Sequence, residues 1–146
     1  MIVYVDSSIL ARSYLADEPG YEQATALLED VEIGLITGTW TRIEVSGALV
    51  RAARAGRGDE VGLLELLDGD LGTDGPVTVV AADQDKVEER ALRFVREYAI
   101  RAMDAWHLAV ADLVLPSLVE PGEDAAFATR DEAQSGVATT LGMRPL

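Results

Sequence analysis

The sequence predicts an α/β fold built around a mainly parallel sheet, and two observations carry that prediction. Short apolar runs alternate with longer amphipathic stretches along the whole chain, which is the pattern of successive strand and helix units. Carboxylates follow closely on two of the apolar runs, at Asp6 and Asp131, where the carboxyl ends of parallel strands place ligand-binding groups.

Taken in order, residues 2–5 (IVYV) form the first predicted strand, and SSILARSYLADEPG a helix that Pro19 and Gly20 terminate. A second helix is predicted from Tyr21 to about Asp30, with Ala24, Leu27 and Leu28 on one face, followed by a strand at residues 33–37. From Thr39, the segment TWTRIEVSGALVRAARAG spaces Ile43, Gly47, Val50 and Arg54 roughly one helical turn apart, with Gly56 as the stop. VGLLELLDGD continues as helix, residues 76–81 (PVTVVA) form a β-branched buried strand, and residues 83–98 a charged amphipathic helix. Asp104 is expected to open the most apolar helix, DAWHLAVADLVL, and residues 116–124 to form a polar loop rich in proline, glycine and acid. AAFAT then reads as a strand, RDEAQ as the start of a short helix and GMRPL as a terminal strand.

A chain of 146 residues with 49% hydrophobic content buries one sizeable core, so a single domain over residues 1–146 is predicted. The absence of cysteine excludes disulfides, thiolate metal sites and cysteine nucleophiles. The opening apolar run meets Asp6 too soon for a signal-peptide core, and no stretch approaches the roughly 20 apolar residues of a membrane span. A soluble, cytoplasmic protein with no membrane partner is therefore expected. Acidic residues outnumber basic ones 26 to 12, a formal charge of −14, which disfavours a general nucleic-acid binder. The same balance suits a metal enzyme, because hard divalent cations require clustered carboxylates and reverse the local potential once bound.

The candidate site is a set of four acids: Asp6, Glu44, Asp104 and Asp131. Asp6 and Asp131 follow strands, Glu44 lies near the start of the helix after the second strand, and Asp104 starts the apolar helix. All four are expected to converge at the carboxyl end of the sheet. Two unit charges about 4 Å apart repel by about 4 kcal/mol at an effective dielectric of 20, so such a hollow needs a cation. Oxygen-only ligands select Mg²⁺, with Mn²⁺ able to substitute, and the chemistry suited to them is metal-activated water attacking a phosphodiester. Each acid also has a plainer reading as a helix cap. Asp104 is a candidate N-cap, Asp131 with Gln134 a capping box, and Thr41 with Glu44 another, while Asp6 resists that reading best.

In sequence and succession, VDSSIL, TRIEV, MDAWHLAVA and FATRDEA resemble the signatures of PIN-domain proteins, most closely the VapC toxins of bacterial toxin–antitoxin pairs. The resemblance covers nearly the whole chain, and the D-A-x-H-L-A run at Asp104 is its most specific part. It implies a three-layer sandwich, a Mg²⁺-dependent endoribonuclease, metal ligation by Asp6, Glu44, Asp104 and Asp131, neutralisation by a small VapB-like antitoxin, and homodimerisation. It also implies Ser7 and Thr129 as hydrogen-bonding supports of the ligating carboxylates. The stretch 116–124 departs from the resemblance by its length and bears on the placement of Asp131.

Other residues are candidates for the same site. His107, the only histidine, lies one turn after Asp104 but is flanked by Trp106 and Leu108, which favours a packed or hydrogen-bonded structural residue over a general base. Asp112 lies two turns beyond Asp104, on a neighbouring face. Arg51, Arg54 and Arg57 form one stripe able to guide an RNA backbone, and Arg90, Arg93 and Arg96 another, for which pairing with nearby acids is the better reading. Tyr14, Trp40 and Trp106 are able to stack bases, but the core has first claim on so few aromatics. An inactive PIN-like module binding RNA or protein is the alternative function. A haloacid-dehalogenase-like enzyme needs an Asp where Ser8 stands, and a receiver domain needs paired acids after the first strand.

Overall fold

The computed structural model describes residues 1–146. Its strands are β1 (Ile2–Val5), β2 (Gly34–Gly38), β3 (Val77–Val80), β4 (Ala125–Ala128) and β5 (Arg144–Pro145). The helices are α1 (Ser7–Tyr14), α2 (Tyr21–Glu29), α3 (Thr41–Arg54), α4 (Glu60–Asp70), α5 (Gln84–Tyr98), α6 (Ala102–Leu118) and α7 (Glu132–Thr140). All strand pairs are parallel, in the order β3-β2-β1-β4-β5.

Alternation along β1 decides the layers, because successive strand side chains point to opposite faces. Val3 and Val5 join Leu10, Leu49 and Leu67 in a core beneath α1 to α4, while Tyr4 joins Phe94, Leu108 and Phe127 beneath α5 to α7. The three-layer sandwich is thus present, with seven helices around a five-stranded parallel sheet. A strand of four residues makes few ladder bonds, each worth about 1 kcal/mol net. One fully buried leucine contributes about 1.5–3 kcal/mol, so packing on both faces holds the sheet more than pairing does. The register reinforces this: Tyr4 lies beside Phe127 and their rings stack at a centroid distance of 5.3 Å. No helix is long and apolar enough to cross a membrane.

The chain moves outward from β1 to β2 and β3, then returns over the opposite face to place β4 on the other side of β1. Neighbouring connections therefore part at the carboxyl ends of β1 and β4, the crevice in which parallel sheets bind ligands.

Three boundaries differ from the sequence-based expectation. The first helix ends at Tyr14, well before Pro19, because Leu15 turns into the core and is buried. The apolar helix begins at Ala102, with Arg101 at the N-cap, so Asp104 sits inside its first turn and does not cap it. That helix also runs through Pro116 to Leu118, since a proline in the last turn removes only one ladder bond. The expected loop shrinks to residues 119–124.

Candidate active site

The site assembles where β1, β2 and β4 end. Asp6 follows β1 directly and is buried, and it is also the N-cap of α1, accepting from the Ser8 amide at 3.2 Å and Ser8 Oγ at 2.7 Å. The acid expected to resist a capping role therefore has one, because a strand that turns straight into a helix leaves its last residue at the cap. These bonds use Oδ2; the other oxygen, Oδ1, lies 3.6 Å from His107 Nε2.

Glu44 lies in the first turn of α3, yet it belongs to no capping box. Trp40 occupies the N-cap without a side-chain bond, and Thr41 pairs with Thr37 Oγ1 at 2.7 Å, which itself donates to the Val5 carbonyl. Glu44 is free to turn toward the crevice, where Oε1 accepts from Ser7 Oγ at 2.8 Å and His107 Nε2 at 2.6 Å. Burial raises its pKa, but the hydrogen bonds and charge of His107, with the bond from Ser7, outweigh that and hold Glu44 below the usual carboxylate range.

His107 is 1% exposed and packs in the core, as the sequence reading favoured, but it also reaches the acids. The Gly38 amide donates to Tyr4 Oη at 3.1 Å, and Tyr4 lies 2.8 Å from His107 Nδ1. In the neutral imidazole of this relay, a Tyr4 hydroxyl donating to Nδ1 leaves the proton on Nε2, directed at Glu44; in the charged imidazole Nε2 donates to Glu44 all the same. Gly38 permits the close approach: a Cβ there would lie 2.7 Å from the Trp106 ring and 2.8 Å from Tyr4 Oη. That His107 touches two of the four acids was not read from the sequence; its place one turn after Asp104 was the available signal.

The other two acids share one cation. Arg101 Nε donates to Asp104 Oδ2 at 3.0 Å, and its Nη2 donates to Asp131 Oδ2 at 3.1 Å. Asp131 caps α7 through the Gln134 amide at 2.9 Å, as the expected capping box requires. The Gln134 side chain does not close the box; it donates to the Asp104 carbonyl at 3.2 Å and accepts from Thr129 Oγ1 at 2.6 Å. Thr129 Oγ1 also accepts from the Asp131 amide at 3.1 Å and lies 3.4 Å from Asp6 Oδ2. Burial pushes Asp104 up, Arg101 pulls it down, and the negative charges of Asp131 and Asp6 push it further up. Asp104, Asp131 and Asp6 are therefore near enough to sense one another.

The structure corrects one expectation about their arrangement. The four acids do not form a single hollow; they form two linked pairs, Asp6 with Glu44 across His107 and Asp104 with Asp131 across Arg101. No group of three carboxylates or imidazoles is arranged to hold a metal ion in this conformation. The donor chemistry nevertheless suits a hard divalent cation: carboxylate oxygens, excess negative charge at Asp104, and a guanidinium already bridging two of them.

Other candidates lie elsewhere. Asp112 pairs with Arg90 at 2.6 Å, which removes it from the site and removes Arg90 from any nucleic-acid stripe. Tyr14 donates to Asp70 at 2.8 Å, away from the four acids, while Trp40 remains half exposed with its ring 6.1 Å from that of Trp106. Arg51 and Arg54 lie on α3 and Arg57 just beyond it; Arg57 pairs with Asp17 and Glu18.

Comparison with known proteins matches residues 3–139 to the family model described as PIN domain. A search of curated proteins finds no match.

Proposed function

We infer the activity of this chain from the family to which it belongs: it is a member of the PIN-domain family, a nuclease-type hydrolase fold. Within that family we propose a Mg²⁺-dependent endoribonuclease, with Mn²⁺ able to substitute, that hydrolyses RNA phosphodiester bonds. Asp6, Glu44, Asp104 and Asp131 would hold the ion. When bound, it lowers the pKa of an attacking water and stabilises the leaving oxygen. The chain's own residues supply the frame. His107 and Ser7 keep Glu44 ionised and aimed, Ser8 orients Asp6, and Thr129 with Gln134 ties Asp131 to the carbonyl of Asp104.

The observation that carries this reading is the pair of acid couples beside the sheet's switch point, Asp6 with Glu44 and Asp104 with Asp131, near enough that the charges of Asp131 and Asp6 add to the burial that raises the pKa of Asp104. Asp6→Asn tests it. Asparagine caps a helix as well as aspartate does, so the fold should survive. The expected result is loss of Mg²⁺-dependent cleavage of single-stranded RNA with an unchanged melting temperature; undiminished cutting by that variant refutes the site.

By the likeness of its four motifs to VapC toxins, we propose that the protein acts in the cytoplasm as a homodimeric toxin neutralised by a small VapB-like antitoxin. A small antitoxin reading frame immediately upstream, whose product co-purifies with this chain, is the expected finding. One observation favours the inactive-module alternative: no three ligands are yet placed around one point. Calorimetry decides between them, since a protein that binds neither Mg²⁺ nor Mn²⁺ is not a metal nuclease.

A further inference from the structure

In a chain of charge −14, four arginines gather beside the carboxylate centre. Arg12 of α1, Arg51 of α3, Arg57 beyond α3 and Arg130 beyond β4 line a groove of about 370 Å³, in which Glu18 is the only acid. An adjoining hollow of about 430 Å³ shares Ser8, Ala11, Ala48 and Arg51 with it and extends to Ser7 and Glu44. The two form one track between α1 and α3, from the carboxylates at one end to the guanidiniums at the other. Ser8 marks the junction: its hydroxyl donates to Asp6 Oδ2 at 2.7 Å and accepts from the Arg130 amide at 3.2 Å.

Two of the four arginines are not neutralised there. Arg57 and Arg130 both draw on Glu18, with Asp17 as the second partner of Arg57, whereas Arg12 and Arg51 make no ion pair. Arg12 Nε is buried without any hydrogen-bond partner, which is rare for so strong a donor. Burial and the positive charge of Arg130 pull its guanidinium below the usual range and the negative charge of Glu18 only partly offsets them, so the group is held where negative charge is short. The backbone makes room for it. Gly20 has φ +84, and a Cβ there would sit 2.3 Å from Arg12 Nη1. The arginines of α5 contrast with this: Arg93 and Arg96 share their hollow with Glu89 and Glu97, and none of its lining residues belongs to the carboxylate centre.

We propose that this groove binds the phosphate backbone of a single-stranded RNA, Arg12 and Arg51 gripping phosphates next to the one presented to Asp6 and Glu44. Guanidinium forks match phosphate oxygens in a bidentate way, and a row of them leading into a carboxylate centre fits a polyanion better than a single small anion. The alanine floor at Ala11, Ala48 and Ala52 leaves width for the sugars. The inference rests on the nuclease reading for the identity of the strand, but not for the binding itself.

The test is fluorescence anisotropy of a labelled single-stranded oligoribonucleotide with wild-type protein in EDTA, repeated over a salt series. Arg51 is exposed and unpaired, so Arg51→Ala should melt like wild type. It is expected to weaken binding about tenfold, the effect of one charge-assisted contact. It should also flatten the log–log salt dependence by about 0.7, the value for one lost phosphate contact on a single strand. Arg12→Met should do the same, and Arg93→Ala should do neither. The proposal is overturned by absence of RNA binding in wild type, by unchanged affinity in Arg51→Ala, or by an equal loss in Arg93→Ala. RNA bound through Arg51 but never cut with Mg²⁺ removes the nuclease reading and keeps the groove. RNA cut normally by an Arg51→Ala protein that binds it normally does the reverse.

Discussion

Asp6 and Glu44 are positioned through an imidazole that is 1% exposed, whereas Asp104 and Asp131 are positioned through a guanidinium whose side chain is 78% exposed. The first pair is anchored on the core through that ring, with Asp6 buried and Glu44 half-buried. The ring is held by Tyr4 at one nitrogen and by Glu44 at the other, and its partners are ordered by β1 and α3. The second pair is joined by a flexible surface cation that stands where another cation could stand. One half of the centre is thus built in advance, and the other half is open to exchange of its counter-charge.

Removing the centre of the rigid half should have the largest effect. His107→Ala leaves a cavity and strips both Tyr4 Oη and Glu44 of a partner, so urea unfolding should show a loss of about 2–5 kcal/mol. A loss below about 1 kcal/mol breaks the comparison, because the imidazole would then not be structural. Tyr4→Phe sharpens it by keeping the ring and deleting only the relay; it leaves His107 Nδ1 and the Gly38 amide unsatisfied, an expected loss of about 1–3 kcal/mol by the same measurement. Arg101→Ala probes the open half and should change metal-free stability by less than about 1 kcal/mol, as exposed ion pairs do. It should nonetheless enlarge the rise in melting temperature on adding Mg²⁺, since an ion that binds the native state stabilises it and no longer competes with a guanidinium. An unchanged or smaller rise would show that Arg101 supports the ion rather than competing with it.

The elements were legible because the apolar runs are short, β-branched and evenly separated, and Asp6 and Asp131 stood out as candidates because they stand just beyond those runs. The caps were less so. Asp131 reads as a capping residue and is one, but Asp6 caps α1 while Glu44 and Asp104 cap nothing. Local sequence offers a cap wherever a polar residue precedes a helix, and the choice depends on where the helix begins. For α6 that point lies two residues before Asp104, at Ala102, and nothing in the apolar pattern marks it. The continuation of α6 through Pro116 was hidden for a similar reason, since a proline signals an end without saying on which side of it the last turn falls.

Sequence by itself determined the parallel α/β architecture and the absence of thiolate donors, and marked four acids as candidates, because periodicity and residue type are local properties that the chain carries before it folds. Only the tertiary structure decided that the acids stand as two pairs, that His107 joins one and Arg101 the other, and that Arg12 meets Arg51 and Arg130 along a groove. Those relations link residues up to 123 positions apart, as between Asp6 and Thr129, and depend on which elements the sheet order makes neighbours.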